Sequence, residues 1–461
     1  MNVTFTIEEI VKAVKGRLLQ GDRAVVIQGV SINSKTIQPG ELFIAIQGER
    51  LDGHCFIAEA VANGASAVIL SKRNFLKKDI PVVCVRDTTR ALGEVAALHR
   101  GRFQIPVIAV TGSTGKTTTK EMIAFILEGK HNVLKNVKTE NNQFGVPLTI
   151  LRLNASHDVA VLELGTNQRG DIAWLSYIAK PTIAVFTNVG ASHLQGLKSP
   201  AGVFREKFQM VKNMPIAGQV IYNADDRYLE AIARKDLLQE RISYGILRAA
   251  DNQASDILLK NNRSTRFKFQ KKEFSLKTPA AHNVYNALAA LSCGRLLGMS
   301  NPVLQKRLAG FPFCDGRQQI QKAGRVWLID DTYNANPVSF RSALRTLDTL
   351  KIKGRKILIC ADMLELGPQT KALHESIGRA AAESGIGLVF SIGNYARHIT
   401  RVLKKARRDV ETFHCLTTEE LHQRLKDVCQ PEDAILVKGS RLMRMERTVH
   451  FLKQQFEKEC N

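Results

Sequence analysis

The chain has 461 residues, 44% of them hydrophobic, and a formal net charge of +23. That length suits about three domains, and the composition is that of a folded globular protein rather than a disordered or fibrous one. No apolar run reaches the ~18 residues that suggest a membrane span, and the N-terminus lacks the basic and apolar regions of a signal peptide, so a cytoplasmic protein is expected.

The excess of base admits nucleic acid or an anionic substrate. The basic residues are dispersed, in short runs such as Lys72-Arg73, Lys77-Lys78 and Lys404-Lys405-Ala406-Arg407-Arg408, and aromatics are only 6% of the chain. Stacking platforms for bases are scarce and zinc-finger spacing is absent, so no nucleic-acid partner is expected. The eight cysteines (55, 84, 293, 314, 360, 415, 429 and 460) form no C-x-x-C pair, and several sit in apolar stretches. They read as reduced thiols.

The expected architecture is α/β in three units: a small N-terminal α/β domain (1–103), a central P-loop ATPase domain with a parallel sheet (104–315) and a C-terminal Rossmann-like domain (316–461). In the first, MNVTFTIEEIVKAVKG reads as an amphipathic helix, ELFIAIQG (41–48), SAVIL (66–70) and PVVCV (81–85) as strands, and FIAEAVANGA (56–65) as a helix ending at a glycine. No nucleotide motif opens this unit, so it is expected to hold a substrate rather than ATP.

The second unit opens with the apolar run IPVIAV (105–110), then Thr111-Gly112-Ser113-Thr114-Gly115-Lys116-Thr117-Thr118, then a helix expected over Glu121–Leu127. Strand, glycine loop and helix aim backbone N–H groups and the positive helix end at one point. A triphosphate fits there, with Lys116 on the β/γ oxygens and the Thr117 hydroxyl on Mg²⁺. The usual pattern has a glycine where Val110 stands. Strands DVAVLELG (158–165), TIAVFTNVG (182–190) and GQVIYNADD (218–226) then alternate with helices near 171–178 and 200–212, which is the pattern of a parallel sheet with ligands at the strand ends.

The third unit alternates again, through VWLIDD (326–331), KILICADM (356–363), LVFSIG (388–393) and AILVKGSR (434–441). It has no second phosphate loop. Two α/β units sharing one ATP site suggest a cleft that closes on its ligands.

Several polar residues fall where chemistry is possible. Glu163 ends a strand, as a Mg²⁺ carboxylate or a structural acid. His193 follows another strand end, as a functional or a merely capping histidine. Lys207 interrupts the apolar stripe Val203, Phe204, Phe208, Val211. It either snorkels or has a desolvated amine whose neutral form can take up CO₂ as a carbamate. Asn141 and Asn142 lie in a loop after the phosphate-loop helix. Asn283 and Asn286 share a helix face. Arg317 lies at the junction of the second and third units, and Asp331 at a strand end suited to ribose hydroxyls. Asn334 and Asn336 sit in the turn that follows.

TGSTGKTTTKEM, ENNQFGVPLTIL, ELGTNQRGDI, NVGASHLQG, FREK, HNVYNALAA, DDTYNANP, ADMLELG with His374 beyond it, and KGSRLMRME occur in that order. Together they resemble the Mur ligase family over nearly the whole chain. The resemblance implies an ATP-dependent amide ligase. It implies a UDP-sugar in the first domain, ATP in the second and the incoming amine in the third. The last three motifs are most similar to those of members that add D-alanyl-D-alanine to UDP-N-acetylmuramoyl-tripeptide. A sibling that adds a single amino acid, or a folylpolyglutamate-type synthetase, is the alternative.

The resemblance also implies site residues. Gly112, Ser113, Thr114, Gly115, Lys116, Thr117 and Thr118 would bind the phosphates. Asn283, Arg317 and Asp331 would contact the base, phosphates and ribose. Thr117, Glu163, His193 and a carbamylated Lys207 would serve two Mg²⁺ ions, with Lys116, His193 and Lys207 catalytic. Ser34, Asn141, Asn142, Asn334 and Asn336 would touch substrate, and the protein would act as a monomer. Asn33-Ser34-Lys35 stands where the family carries Asp-Ser/Thr-Arg, and Ala361 stands where it carries glycine.

Overall fold

The computed structural model describes residues 4–48, 51–72, 80–260 and 262–458. Arg73, Lys77-Lys78 and Cys460, noted above, lie outside them. The fold is α/β, built on three large sheets.

The first sheet has five strands, ordered Arg17–Gln20, Val82–Cys84, Ala67–Leu70, Glu41–Ile44 and Gly29–Ser31. All neighbours are parallel except the first pair. The opening segment forms a two-residue strand and then the helix Ile7–Val14. Thr6 and Glu9 close a reciprocal capping box there, which satisfies two orphan N–H groups of the first turn. The helix Thr88–Arg100 packs on Gly145–Ile150 and Asp171–Ala179 of the central domain. Ala91, Leu92, Val95 and Ala96 thus share one core with Val146, Ile150, Ile172 and Leu175.

The central sheet has nine strands. Six run parallel in the order Val133–Lys135, Val159–Glu163, Val107–Thr111, Ile183–Phe186, Gln219–Asn223 and Glu240–Gly245. Asn252–Lys260 continues the sheet, and Ser264–Phe269 and Lys272–Leu276 pair antiparallel beyond it. The strand Val107–Thr111 is entirely buried. The chain moves from it to one side of the sheet and later crosses to the other, so the loop after it lies at a topological switch point.

Two expectations change here. The phosphate-loop helix begins at Lys116, not Glu121. Its first turn is polar, but Thr117, Thr118, Thr119 and Lys120 are all buried. The helix expected over 200–212 is an α-helix only from Pro200 to Lys207, and then tightens into a 3₁₀ turn over Phe208–Asn213.

The third sheet runs Gln319–Ala323, Val326–Asp331, Ala434–Lys438, Lys356–Ala361, Leu388–Ile392 and Glu411–Cys415, parallel except for its first pair. Its strand ends face the phosphate loop. Asn336 caps the helix Pro337–Thr349 with Oδ1 on the Ser339 N–H, and its Nδ2 reaches across to the Ser113 carbonyl at 3.2 Å.

Candidate active site

The phosphate loop is held open by its neighbours. Gly115 has φ of 77°, a left-handed conformation that favours glycine, and a Cβ there would lie 2.6 Å from Asn286 Oδ1. The strand continues to Thr111, which is why Val110 is tolerated where the usual loop has glycine: it is a fully buried strand residue. Asn188, from the adjacent strand end, accepts from the Thr114 N–H at 2.9 Å and donates to its hydroxyl at 2.8 Å. Thr187 donates to the Thr114 carbonyl at 2.6 Å.

Lys116 curls back so that Nζ donates to the Gly112 carbonyl at 3.0 Å. Burial lowers its pKa, with the Glu163 charge opposing that shift and Arg317 adding to it. One turn of loop away, the Thr117 hydroxyl donates to Glu163 Oε2 at 2.5 Å, and Asn141 Nδ2 donates to Glu163 Oε1 at 2.6 Å. Behind them Asn136 grips the backbone of Glu163, accepting from its N–H at 3.0 Å and donating to its carbonyl at 3.1 Å. Lys120, fully buried, donates to the carbonyls of Asn136 and Lys138 and pairs with Glu121. These bonds fix the Glu163 side chain and backbone at the phosphate loop.

These groups line a cavity of about 850 Å³ between the central and C-terminal domains. Its walls include Ser113, Thr114, Gly115, Lys116, Thr117 and Thr118, together with Asn141, Glu163 and His193. Arg317, Asp331, Asn334 and Asn336 close it from the other domain. Arg317 stacks its guanidinium over Tyr333 at 4.0 Å. Asp331 is buried and receives Lys438 Nζ at 2.6 Å. Burial raises the Asp331 pKa, while Lys438 holds it down. Tyr333 donates to Thr139, and Gly190 packs so tightly under Val338 that a Cβ would clash at 2.2 Å. The third domain is seated on the loop.

The remaining expected residues divide between the cavity wall, which includes Asn286 and His193, and positions off it, which include Asn283, Asn142 and Ser34. Asn286 is on the cavity wall, and Asn283 lies behind it, with Oδ1 accepting from Asn286 Nδ2 at 2.8 Å. The Asn283 Nδ2 is buried without a partner. Asn142 is exposed and folds its Oδ1 onto the N–H groups of Phe144 and Gly145, which starts the next helix. Ser34 lies in the first domain, outside this cavity, and donates to Glu59 at 2.5 Å. His193, in a left-handed conformation at φ of 50°, pairs its Nδ1 with Glu365 Oε2 at 2.7 Å.

Lys207 is only 1% exposed, which rules out a snorkelling chain. Its pKa lies well below the usual lysine value, first through burial and then through the Lys116 charge, with Glu206 and Glu163 opposing. Sequence reasoning passed over Asn136, Lys120, Asn188 and Lys438, although NVKTENN and KGS are the kind of polar stretch at strand ends that serves a site. It also missed Asp225, which accepts from three successive N–H groups, Ile246 to Arg248, and from the Tyr285 hydroxyl.

The Thr117–Glu163 pair suits Mg²⁺, a hard cation that takes oxygen ligands at a phosphate loop. Among the described residues no group of three or more His, Cys, Asp or Glu side chains is set to hold a metal ion alone. An ion here would share the hydroxyl and carboxylate with phosphate oxygens and water, as Mg²⁺ does.

Known proteins resemble the chain over nearly its whole length. Family models described as "Mur ligase family, catalytic domain", "Mur ligase middle domain" and "Mur ligase, glutamate ligase domain" match residues 26–100, 110–294 and 316–441. The chain is 35% identical over 463 residues to the UDP-N-acetylmuramoyl-tripeptide–D-alanyl-D-alanine ligase of Escherichia coli, covering 98% of this chain and 99% of that one. It is 33% identical to the enzyme of the same name from Bacillus subtilis, over 96% and 97% of the two chains. A crystal structure of MurF from Acinetobacter baumannii superposes with a TM-score of 0.89 at 30% identity, covering 98% and 99%. MurF ligase from Thermotoga maritima, solved in complex with ADP, superposes with a TM-score of 0.84 at 29% identity, covering 94% and 98%.

Proposed function

The chain belongs to the Mur ligase family, and from that premise we propose that it joins D-alanyl-D-alanine to UDP-N-acetylmuramoyl-tripeptide at the expense of ATP. The observation that carries this reading is the closed cleft. Lys116 and the Thr117–Glu163 pair stand on one wall, and Asn336 of the opposite domain is bonded to the phosphate loop itself.

In the first step a carboxylate oxygen of the tripeptide attacks the γ-phosphorus of ATP. The bond to the bridging oxygen breaks, and ADP leaves with that electron pair. An anion here approaches a polyanion, so catalysis is mainly charge stabilisation and positioning. Lys116 and the backbone N–H groups from Gly115 to Thr118, at the start of the helix, would face the phosphates. Mg²⁺ held by Thr117 and Glu163 would supply further positive charge to the γ-phosphate. In the second step the amine of D-alanyl-D-alanine attacks the acyl carbon of the acyl phosphate. The carbon–oxygen bond breaks, phosphate leaves, and the amine's proton passes to solvent or to the departing phosphate. The acyl phosphate is prone to hydrolysis, and seating the C-terminal domain on the loop keeps water away.

Three finer assignments belong to the same reading. The first domain holds the UDP-sugar and the third the dipeptide. Asp331, beside Lys438, receives the ribose hydroxyls. Lys207 reacts as a neutral amine with CO₂, releasing a proton to form a carbamate; its burial beside Lys116 supports this, since a cation stabilises the new anion.

Phosphate release is the test. With ATP, UDP-N-acetylmuramoyl-tripeptide and D-alanyl-D-alanine all present, turnover is expected, and omitting either peptide substrate should abolish it. Equal release with a single amino acid in place of the dipeptide would favour a sibling ligase.

A further inference from the structure

We infer that Glu365 is a positioning residue, and that it makes assembly of the phosphate site depend on closure of the C-terminal domain by holding the imidazole of His193 across the cleft. The inference rests on the reading above.

His193 and Glu365 are 172 residues apart, and their 2.7 Å contact joins the central domain to the C-terminal one. The main chain supports the same contact, because the Gln195 N–H donates to the Glu365 carbonyl at 3.3 Å. Both residues are held in left-handed backbone conformations, φ of 50° at His193 and 62° at Glu365. Such conformations cost free energy in non-glycine residues and persist where the surroundings fix them. Those surroundings are visible on the Glu365 side. Buried His374 accepts from the Met363 N–H at 2.9 Å, and the Ser440 hydroxyl accepts from the Leu364 N–H at 2.9 Å. The two residues before Glu365 are therefore pinned, one from the following helix and one from a neighbouring strand end, and the carboxylate projects toward the other domain.

The chemistry of the pair gives it a use. A carboxylate on Nδ1 selects the tautomer with the proton on Nδ1 and leaves the Nε2 lone pair free. His193 lines the cavity that contains Lys116, Thr117 and Glu163. A free Nε2 there can accept from, or ligate, whatever the phosphates bring. Carboxylates that orient a histidine in this way are common behind ligating imidazoles. The unusual feature is that this one is carried by a different domain. With the domains apart, His193 has no carboxylate and its ring is free to turn. With the domains closed, the ring is set. Turnover then begins only in the state that excludes water.

The test uses the full chain with Glu365→Gln and Glu365→Ala. The Glu365 side chain is 55% exposed, so neither change should unfold the protein. The imidazole ¹⁵N spectrum of His193, read without nucleotide or metal, should show the Nδ1-protonated form in the parent protein. It should show a mixture shifted to the Nε2-protonated form in Glu365→Ala. In assays, kcat for phosphate release should fall ~10- to 100-fold in Glu365→Ala, less in Glu365→Gln, with ADP affinity changed less than ~2-fold, as is usual for a group outside the nucleotide contacts. An unchanged spectrum together with parental kcat in Glu365→Ala would overturn the inference. Failure of the parent protein to release phosphate with both peptide substrates would instead overturn the functional reading, and the spectrum of His193 would still report on the pair.

Discussion

Thr117 and Glu163 meet at 2.5 Å, hydroxyl to carboxylate, although they come from a helix start and a strand end 46 residues apart. Asn141 occupies the second carboxylate oxygen. This is a pre-set pair of oxygen donors at the mouth of a phosphate loop. Glu163→Gln preserves the size of the group and removes its charge, so it should lower kcat for phosphate release by ~10²-fold or more, the usual scale for a group that stabilises charge in the transition state. Lys116→Ala should be inactive in the same assay. Near-parental phosphate release from either variant would remove the pair and the lysine from the mechanism.

Asn336 does two jobs that substitutions can separate. Its Oδ1 caps a helix, and its Nδ2 bonds the Ser113 carbonyl in the other domain. Asn336→Ser keeps a good N-cap and loses the reach across the cleft. It should melt near the parent temperature but turn over more slowly. Asn336→Ala should lose the cap as well, costing about 1 kcal/mol of stability. Thermal unfolding and phosphate release, measured on both variants, check this. Parental turnover in Asn336→Ser would mean that the interdomain bond is incidental.

Lys207 is buried and its amine is biased to the neutral form, with burial as the leading cause. Protein supplied with ¹³C-labelled bicarbonate should therefore show a carbamate carbon signal that is absent in Lys207→Met, which keeps most of the packing volume. Lys207→Met should also be inactive, with partial rescue by short carboxylates. An active parent protein without the carbamate signal would leave Lys207 as a structural lysine.

His282 supplies a pH dependence. Burial, and then the Lys438 charge, lower its pKa from 6.5 to about 4. Below about pH 6.5 the unfolded chain takes up a proton that the folded chain refuses until about pH 4. This contribution to stability is therefore full above pH 6.5 and is lost as the pH falls toward 4. The loss is on the order of 1–3 kcal/mol. Denaturant unfolding from pH 7 to 4 should fall more steeply for the parent than for His282→Gln. Equal slopes would mean that His282 titrates normally.

Much of the fold was legible because apolar runs such as VIAVT and VAVLE are buried on both faces and bounded by glycine or polar turns. The helix start at Lys116 was not, because its polar first turn is buried by specific bonds rather than by hydropathy. Thr117 bonds Glu163, Thr119 bonds Asn286, and Lys120 bonds the Asn136 carbonyl. The antiparallel strand Ser264–Phe269 was missed despite a clear signal: Thr265, Phe267 and Phe269 are buried, and Arg266 and Lys268 alternate with them on the exposed face. Lys116 and Thr117 at the helix start and Glu163 at a strand end were singled out through local pattern and resemblance, and the fold brings them to one cavity. The pairing of His193 with Glu365 joins residues remote in sequence, and no local pattern carries it.

The central claim is that the γ-phosphoryl group of ATP passes to a carboxyl group in this cleft. It is tested most directly by labelling the tripeptide carboxylate with ¹⁸O and reading the phosphate released in the presence of D-alanyl-D-alanine. Transfer of one ¹⁸O from the carboxylate to each phosphate is the expected result. Phosphate free of the label, with its new oxygen drawn from water, would contradict the account.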